Sequence, residues 1–170
     1  DPTGRASRPN QQNGISLGNS SNNVIGGTTA AARNVISGNK LDGIELGGNG
    51  NVVQGNYIGT NAAGTAAIPN DSDGVSISNA ASTNNLIGGS AAGAGNVISG
   101  NQRAVFITAS GNTIQGNLIG TNPAGTQKIA NLTGLQITGQ NNQVGGLTAG
   151  ARNVISGNTS TGLVITGAGS

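Results

Sequence analysis

Five carboxylates are all the acid this 170-residue chain has: Asp1, Asp42, Glu45, Asp71 and Asp73. No histidine or cysteine stands beside them, which removes the usual general base, the thiolate nucleophile and every imidazole or thiolate metal site. What is left is chemistry between oxygens. A glycosidase needs two carboxylates facing each other across a bond, and a calcium site needs several oxygens converging on one point. The nearest approach to either is a single corner: Asp42, Asp73 and Arg103 each stand directly before an apolar tetrad. If the tetrads stack, these three form one column about 5 Å apart, with Glu45 and Asp71 beside it. The expectation is an Asp73–Arg103 surface ion pair contributing under about 1 kcal/mol. Asp42, Glu45, Asp71 and Asp73 are the candidate ligands for calcium, the sole cofactor the sequence suggests, and no residue is assigned a catalytic role.

The tetrads are parts of a repeat. NVISGN occurs at 34–39, 96–101 and 153–158, and a variant, N-x-I-G-T-N, at 56–61 and 117–122. The tetrads GISL, GIEL, GVSI, AVFI, GLQI and GLVI begin at positions 14, 43, 74, 104, 134 and 162, in steps of 28 to 31 residues. Gly14, Gly74 and Gly134 are each 60 apart, so the unit is a pair of rungs, one odd and one even. The chain therefore divides into 14–73, 74–133 and an incomplete 134–170, a single domain, with 1–13 as the closing loop of a preceding even rung. Shifted by 60, Asp1 falls on Asn61, Gly4 on Gly64 and Pro9 on Pro69, and the last rung stops after its first strand. On this reading the chain is an excerpt of a longer array or a subunit that stacks end to end, since open solenoid ends offer unpaired backbone groups.

Each rung carries three short segments whose alternation marks inward positions. In the first the inward pairs are Ile15/Leu17, Ile44/Leu46, Val75/Ile77, Val105/Ile107, Leu135/Ile137 and Leu163/Ile165. In the second the aliphatic column is Ile25, Val53, Ile87, Ile114 and Val144, and in the third Ile36, Ile58, Ile98, Ile119 and Ile155. No stretch shows helical spacing. The fold class is all-β: a parallel β-helix, or solenoid, of three short strands per rung and about five to six rungs of about 30 residues.

Asparagine and glycine then mark corners. Asn34, Asn56, Asn96, Asn117 and Asn153 are expected to stack as one hydrogen-bonded ladder, and Asn39, Asn61, Asn101, Asn122 and Asn158 as a second, with some of these residues taking left-handed backbone. Gly26, Gly55, Gly88, Gly116 and Gly145 turn the second strand toward the third. Odd rungs put a loop at that turn (26–33, 88–95, 145–152), whereas even rungs put theirs after the third strand (61–73, 122–133). The outward column of the third strand, Val35, Tyr57, Val97, Leu118 and Val154, is wholly apolar, a stripe fit for an interface unless covered. Ile68, Ile129 and Leu147 of the loops are expected to cover it.

The tandem N-x-I-x-G-N and G-I-x-L phrases resemble right-handed parallel β-helix repeat proteins of the pectate-lyase-like superfamily, above all the Asn/Gly/Thr-rich arrays of large bacterial secreted and surface proteins. That resemblance implies the right hand, an extracellular or cell-surface location, and a choice of functions. The leading expectation is a non-enzymatic structural segment: a stalk, fibre or adhesive surface. The alternatives are a carbohydrate-binding or polysaccharide-degrading β-helix with active rungs outside this segment, and an ice-binding solenoid. Ice binding would use the column Ser78, Thr108, Thr138 and Thr166, but its partner column, Ser76, Phe106, Gln136 and Val164, does not match it.

Other partners find little support. Seven basic residues form no run, and Tyr57 and Phe106 are the only aromatics on which a base could stack, which argues against nucleic acid. No apolar run reaches the ~18–20 residues of a membrane span. Four Asn-x-Ser/Thr triplets begin at Asn19, Asn70, Asn131 and Asn158, and in a chain this rich in those residues chance alone produces such triplets.

Overall fold

The computed structural model describes residues 6–167. Its regular elements are almost all strands of two to five residues, joined without antiparallel pairing between rungs. The first sheet stacks Ile15–Ser16, Ile44–Glu45, Asp73–Ile77, Arg103–Ile107, Thr133–Ile137 and Thr161–Ile165 in that order. The second stacks Val24–Gly26, Val52–Gln54, Leu86–Gly88, Thr113–Gln115 and Gln143–Val144; the third, Val35–Ile36, Tyr57–Ile58, Val97–Ile98, Leu118–Ile119 and Val154–Ile155. Every pairing between these strands is parallel and joins one rung to the next, so the described residues form a three-sided parallel β-solenoid.

Register follows the aliphatic columns. Ile44 pairs with Val75, Val75 with Val105, and Val105 with Leu135; Val53 pairs with Ile87, and Ile87 with Ile114; Ile58 pairs with Ile98, and Ile98 with Ile119. A slip of one residue would turn each column outward, so burial itself locks the stacking. In the middle rungs these side chains are completely buried and form one continuous core. The outermost rungs close less well, and Leu163 and Ile165 remain 37% and 50% exposed.

Corners need backbone that β-branched residues resist, and glycine supplies it. Gly26, Gly55, Gly88, Gly116 and Gly145 all have positive φ, between 66° and 89°. The left-handed residue of NVISGN is Gly38, Gly100 or Gly157, not either asparagine. The asparagines that do adopt positive φ are Asn22, Asn84 and Asn141, at the corner between the first and second sheets. This corrects the expectation that ladder asparagines take that conformation: a ladder residue must keep extended backbone to pair with its neighbours, so the strained residue sits beside it.

The loops are ordered by their own rungs. The even-rung loops fold back as small hairpins, with Thr60 bridging Ala67 and Thr121 bridging Lys128. The odd-rung loops at 26–33 and 145–152 each contain a 3-10 turn, Ala30–Ala32 and Ala149–Ala151. Among the described residues no helix is long and apolar enough to cross a membrane. Asp1 and Gly4, which the repeat maps onto Asn61 and Gly64, lie outside the described residues.

Candidate functional site

The acidic corner takes its shape from the first sheet. Arg103 pairs in register with Asp73, which sets their side chains one rung apart on the solvent side. The guanidinium grips the carboxylate with two bonds, Nε to Oδ1 at 2.6 Å and Nη2 to Oδ2 at 2.9 Å, and lies over the Phe106 ring at 3.9 Å. Asp73 itself is only 3% exposed on its side chain, against 27% for Arg103. This corrects the expected surface pair. Arg103, held flat by Phe106, roofs the carboxylate, so the pair is half-buried and removing one partner strands the other. Burial raises the Asp73 carboxyl above the ordinary carboxylate range; the Arg103 guanidinium opposes that rise, and the neighbouring Asp42 charge adds to it.

The remaining acids are dispersed. Asp42 Oδ1 accepts the Asp73 backbone N–H at 3.0 Å, and Glu45 Oε2 accepts from Asn13 Nδ2 and Ser16 Oγ, each at 2.8 Å. Asp71 pairs with Lys40 at 3.2 Å, where both side chains are more than half exposed. The structure therefore does not gather Asp42, Glu45, Asp71 and Asp73 round one point, and the described residues contain no group of three acidic side chains placed to hold a metal ion.

The asparagines are far more organised. In the first ladder Asn34 Nδ2 donates to Asn56 Oδ1, Asn56 to Asn96, Asn96 to Asn117 and Asn117 to Asn153, at 2.9 to 3.2 Å. The same Oδ1 atoms also accept the backbone N–H of the asparagine before, and the second Nδ2 proton goes back to a strand carbonyl, as from Asn96 to Val53 O at 2.8 Å. Each interior amide thus spends its full hydrogen-bonding capacity, which is what burial demands.

The second ladder runs Asn10, Asn39, Asn70, Asn101, Asn131, Asn158. Asn61 and Asn122, expected in it, are not there. They open the even-rung loops, where their Oδ1 atoms cap the loop backbone: Asn61 accepts from the N–H of Thr65 and Ala66, and Asn122 from that of Thr126 and Gln127. The hairpin that follows them displaces the corner to the end of the loop, and Asn70 and Asn131 fill it. A third ladder, Asn23, Asn51, Asn85 and Asn112, with Asn142 accepting the Asn112 backbone N–H, occupies the corner between the first and second sheets. Its signal was an asparagine two positions before each aliphatic of the second column.

The apolar stripe is covered unevenly. Tyr57 and Val97 are buried, Leu118 and Val154 are half-buried, and Val35 is 43% exposed. Arg33 lies over the Tyr57 ring at 4.1 Å, and Gly64 of the even loop packs against the ring and against Pro123 of the next loop. Ile129 is buried and Ile68 half-buried, but Leu147 is fully exposed. That last residue corrects the expectation of a three-residue cover. The 3-10 turn of its loop sends Ala151 inward and leaves Leu147 at the tip. In the threonine column, Thr108 Oγ1 donates to Ser78 O at 2.9 Å, which ties one hydroxyl to its neighbouring rung.

These features define a class: a parallel β-solenoid whose corners are sealed by asparagine ladders. No family model matches the chain, and no curated protein or solved structure does either.

Proposed function

We propose that the chain is a non-enzymatic structural segment of an extracellular right-handed β-helix of the pectate-lyase-like type, serving as a stalk, fibre or adhesive surface. The observation that carries this reading is the three ladders. They run along the rungs at all three corners, joining each rung to the next through side-chain amides as well as backbone, which suits a stiff rod loaded along or across its axis. The pulling response is the direct test. Stretched between its ends in a force spectrometer, the chain should yield rung by rung in regular steps of about 30 residues. A single low-force extension with no steps would overturn the mechanical role.

Location is tested separately. An antibody to the folded chain should label intact cells of the source organism, and labelling only after lysis would overturn the extracellular part. End-to-end association belongs to the same reading. Sedimentation over a wide concentration range should show reversible growth that Leu163→Ser with Ile165→Ser abolishes, and a concentration-independent monomer would remove it.

A further inference from the structure

The four Asn-x-Ser/Thr triplets are equivalent as sequence but not as structure. Asn70 and Asn131 are 1% and 0% exposed, and their Nδ2 atoms donate to Asn101 and Asn158 along the second ladder. Asn158 Nδ2 is likewise buried, and its Oδ1 is taken by Asn131. A nucleophilic amide nitrogen that is buried in a ladder cannot meet a second substrate.

Asn19, Ser20 and Ser21 are all three exposed. They leave a tight turn that Ser20 N–H closes onto Leu17 O at 2.9 Å, with Gly18 at φ +52°. Asn19 Oδ1 accepts from Asn79 Nδ2 at 3.2 Å, and Asn79, its counterpart 60 residues on, is exposed at the same place in its own rung. Ser21 Oγ accepts the Asn49 backbone N–H at 2.9 Å, which leaves the hydroxyl proton available to a reader of the third position of the triplet. The turn stands at the corner between the first and second sheets, on the side away from the third. A polar chain attached there would project from the solenoid without covering the Val35 stripe.

We propose that Asn19 is an acceptor for N-linked glycan transfer and the one competent acceptor among the four triplets in the folded chain. The donor is a lipid-diphosphate-linked oligosaccharide. Nδ2 of Asn19 bonds to the anomeric carbon, the bond from that carbon to the diphosphate oxygen breaks, and the lipid diphosphate leaves with the electron pair. One Nδ2 proton passes to a base of the transferase. Use of the site in a cell rests on the extracellular reading, because the chain must reach the compartment that holds the donor. Transfer to the purified chain does not, so the two fail separately.

The test incubates the folded chain with a single-subunit oligosaccharyltransferase and lipid-linked oligosaccharide, with four synthetic peptides spanning the triplets as controls for the enzyme. All four peptides should be modified, whereas peptide mapping of the folded chain should find one glycan, at Asn19. Asn19→Gln and Ser21→Ala should each abolish it without altering the circular dichroism. A folded chain left unmodified while the Asn19 peptide reacts, or a glycan on folded Asn70, Asn131 or Asn158, would overturn the proposal.

Discussion

Asn101 donates its side-chain amide to Asn131, 30 positions later, at 3.3 Å, and not to Asn122, the last residue of its own motif's next copy. The consequence is that two residues of one type, nine positions apart, hold very different shares of the stability. Asn131→Ala strands the buried Asn101 backbone N–H and removes the Asn131 bonds to Ile98 O and Asn158 Oδ1, while the Asn101 amide keeps Ile58 O and Ser99 O, a loss of about 2–4 kcal/mol in all. Asn122→Ala removes only caps within a loop and should cost about 1 kcal/mol. Urea denaturation of the two variants decides the matter, and equal losses would place Asn122 in the ladder after all.

Two glycines make a matching contrast. Gly88 and Gly125 both have positive φ, 89° and 69°. A Cβ at Gly88 would be driven into the carbonyl oxygen of Gln115 and the Asn117 amide, whereas one at Gly125 meets nothing. Gly125→Ala should therefore lose only the left-handed penalty of about 1 kcal/mol, and Gly88→Ala more than about 3 kcal/mol because backbone cannot yield. Melting temperatures in one buffer would check this; a Gly88→Ala melt no lower than that of Gly125→Ala defeats it.

These contrasts show what was legible. The aliphatic columns came through unaltered, since Val75, Val105 and Leu135 recur every 30 residues and pair in register. The first ladder was equally plain, because no insertion falls between its asparagines and the strand that follows. The second was half missed: motif copies suggested Asn61 and Asn122, but stacking is decided by the path of the chain, and a hairpin intervenes. The burial of Asp73 was not legible either. It depends on Arg103 lying flat on Phe106, a side-chain arrangement that one-dimensional spacing does not encode.

Metal dependence is the next expectation to test. Each carboxylate near the acidic corner already has its own donor, so a calcium ion would have to break the Asp73–Arg103 grip or the Glu45 bonds to assemble a site. Titrating calcium into the chain should release no heat, and EDTA should leave the melting temperature unchanged. Heat of binding that Glu45→Gln abolishes would restore a cation site at this corner.

The pH response of Asp73 follows from its surroundings, and its sign is the reverse of the usual carboxylate. Burial raises the carboxyl in the folded chain, so the folded state keeps this proton to a higher pH than the unfolded state does. Between those two pKa values the folded state binds more protons, and stability contributed by the group falls as pH rises through the window. Asparagine at this position cannot titrate and serves as the reference. As pH rises from the ordinary carboxylate range, about pH 4, the stability of the parent chain minus that of Asp73→Asn should decline, then level off once the folded carboxyl is ionised. Arg103→Ala should steepen the decline, because it removes the one charge that favours the carboxylate. Urea midpoints measured across the range provide the test. A difference that grows with pH in the parent background would mean that the guanidinium outweighs burial, and that Asp73 behaves as an ordinary salt-bridged acid.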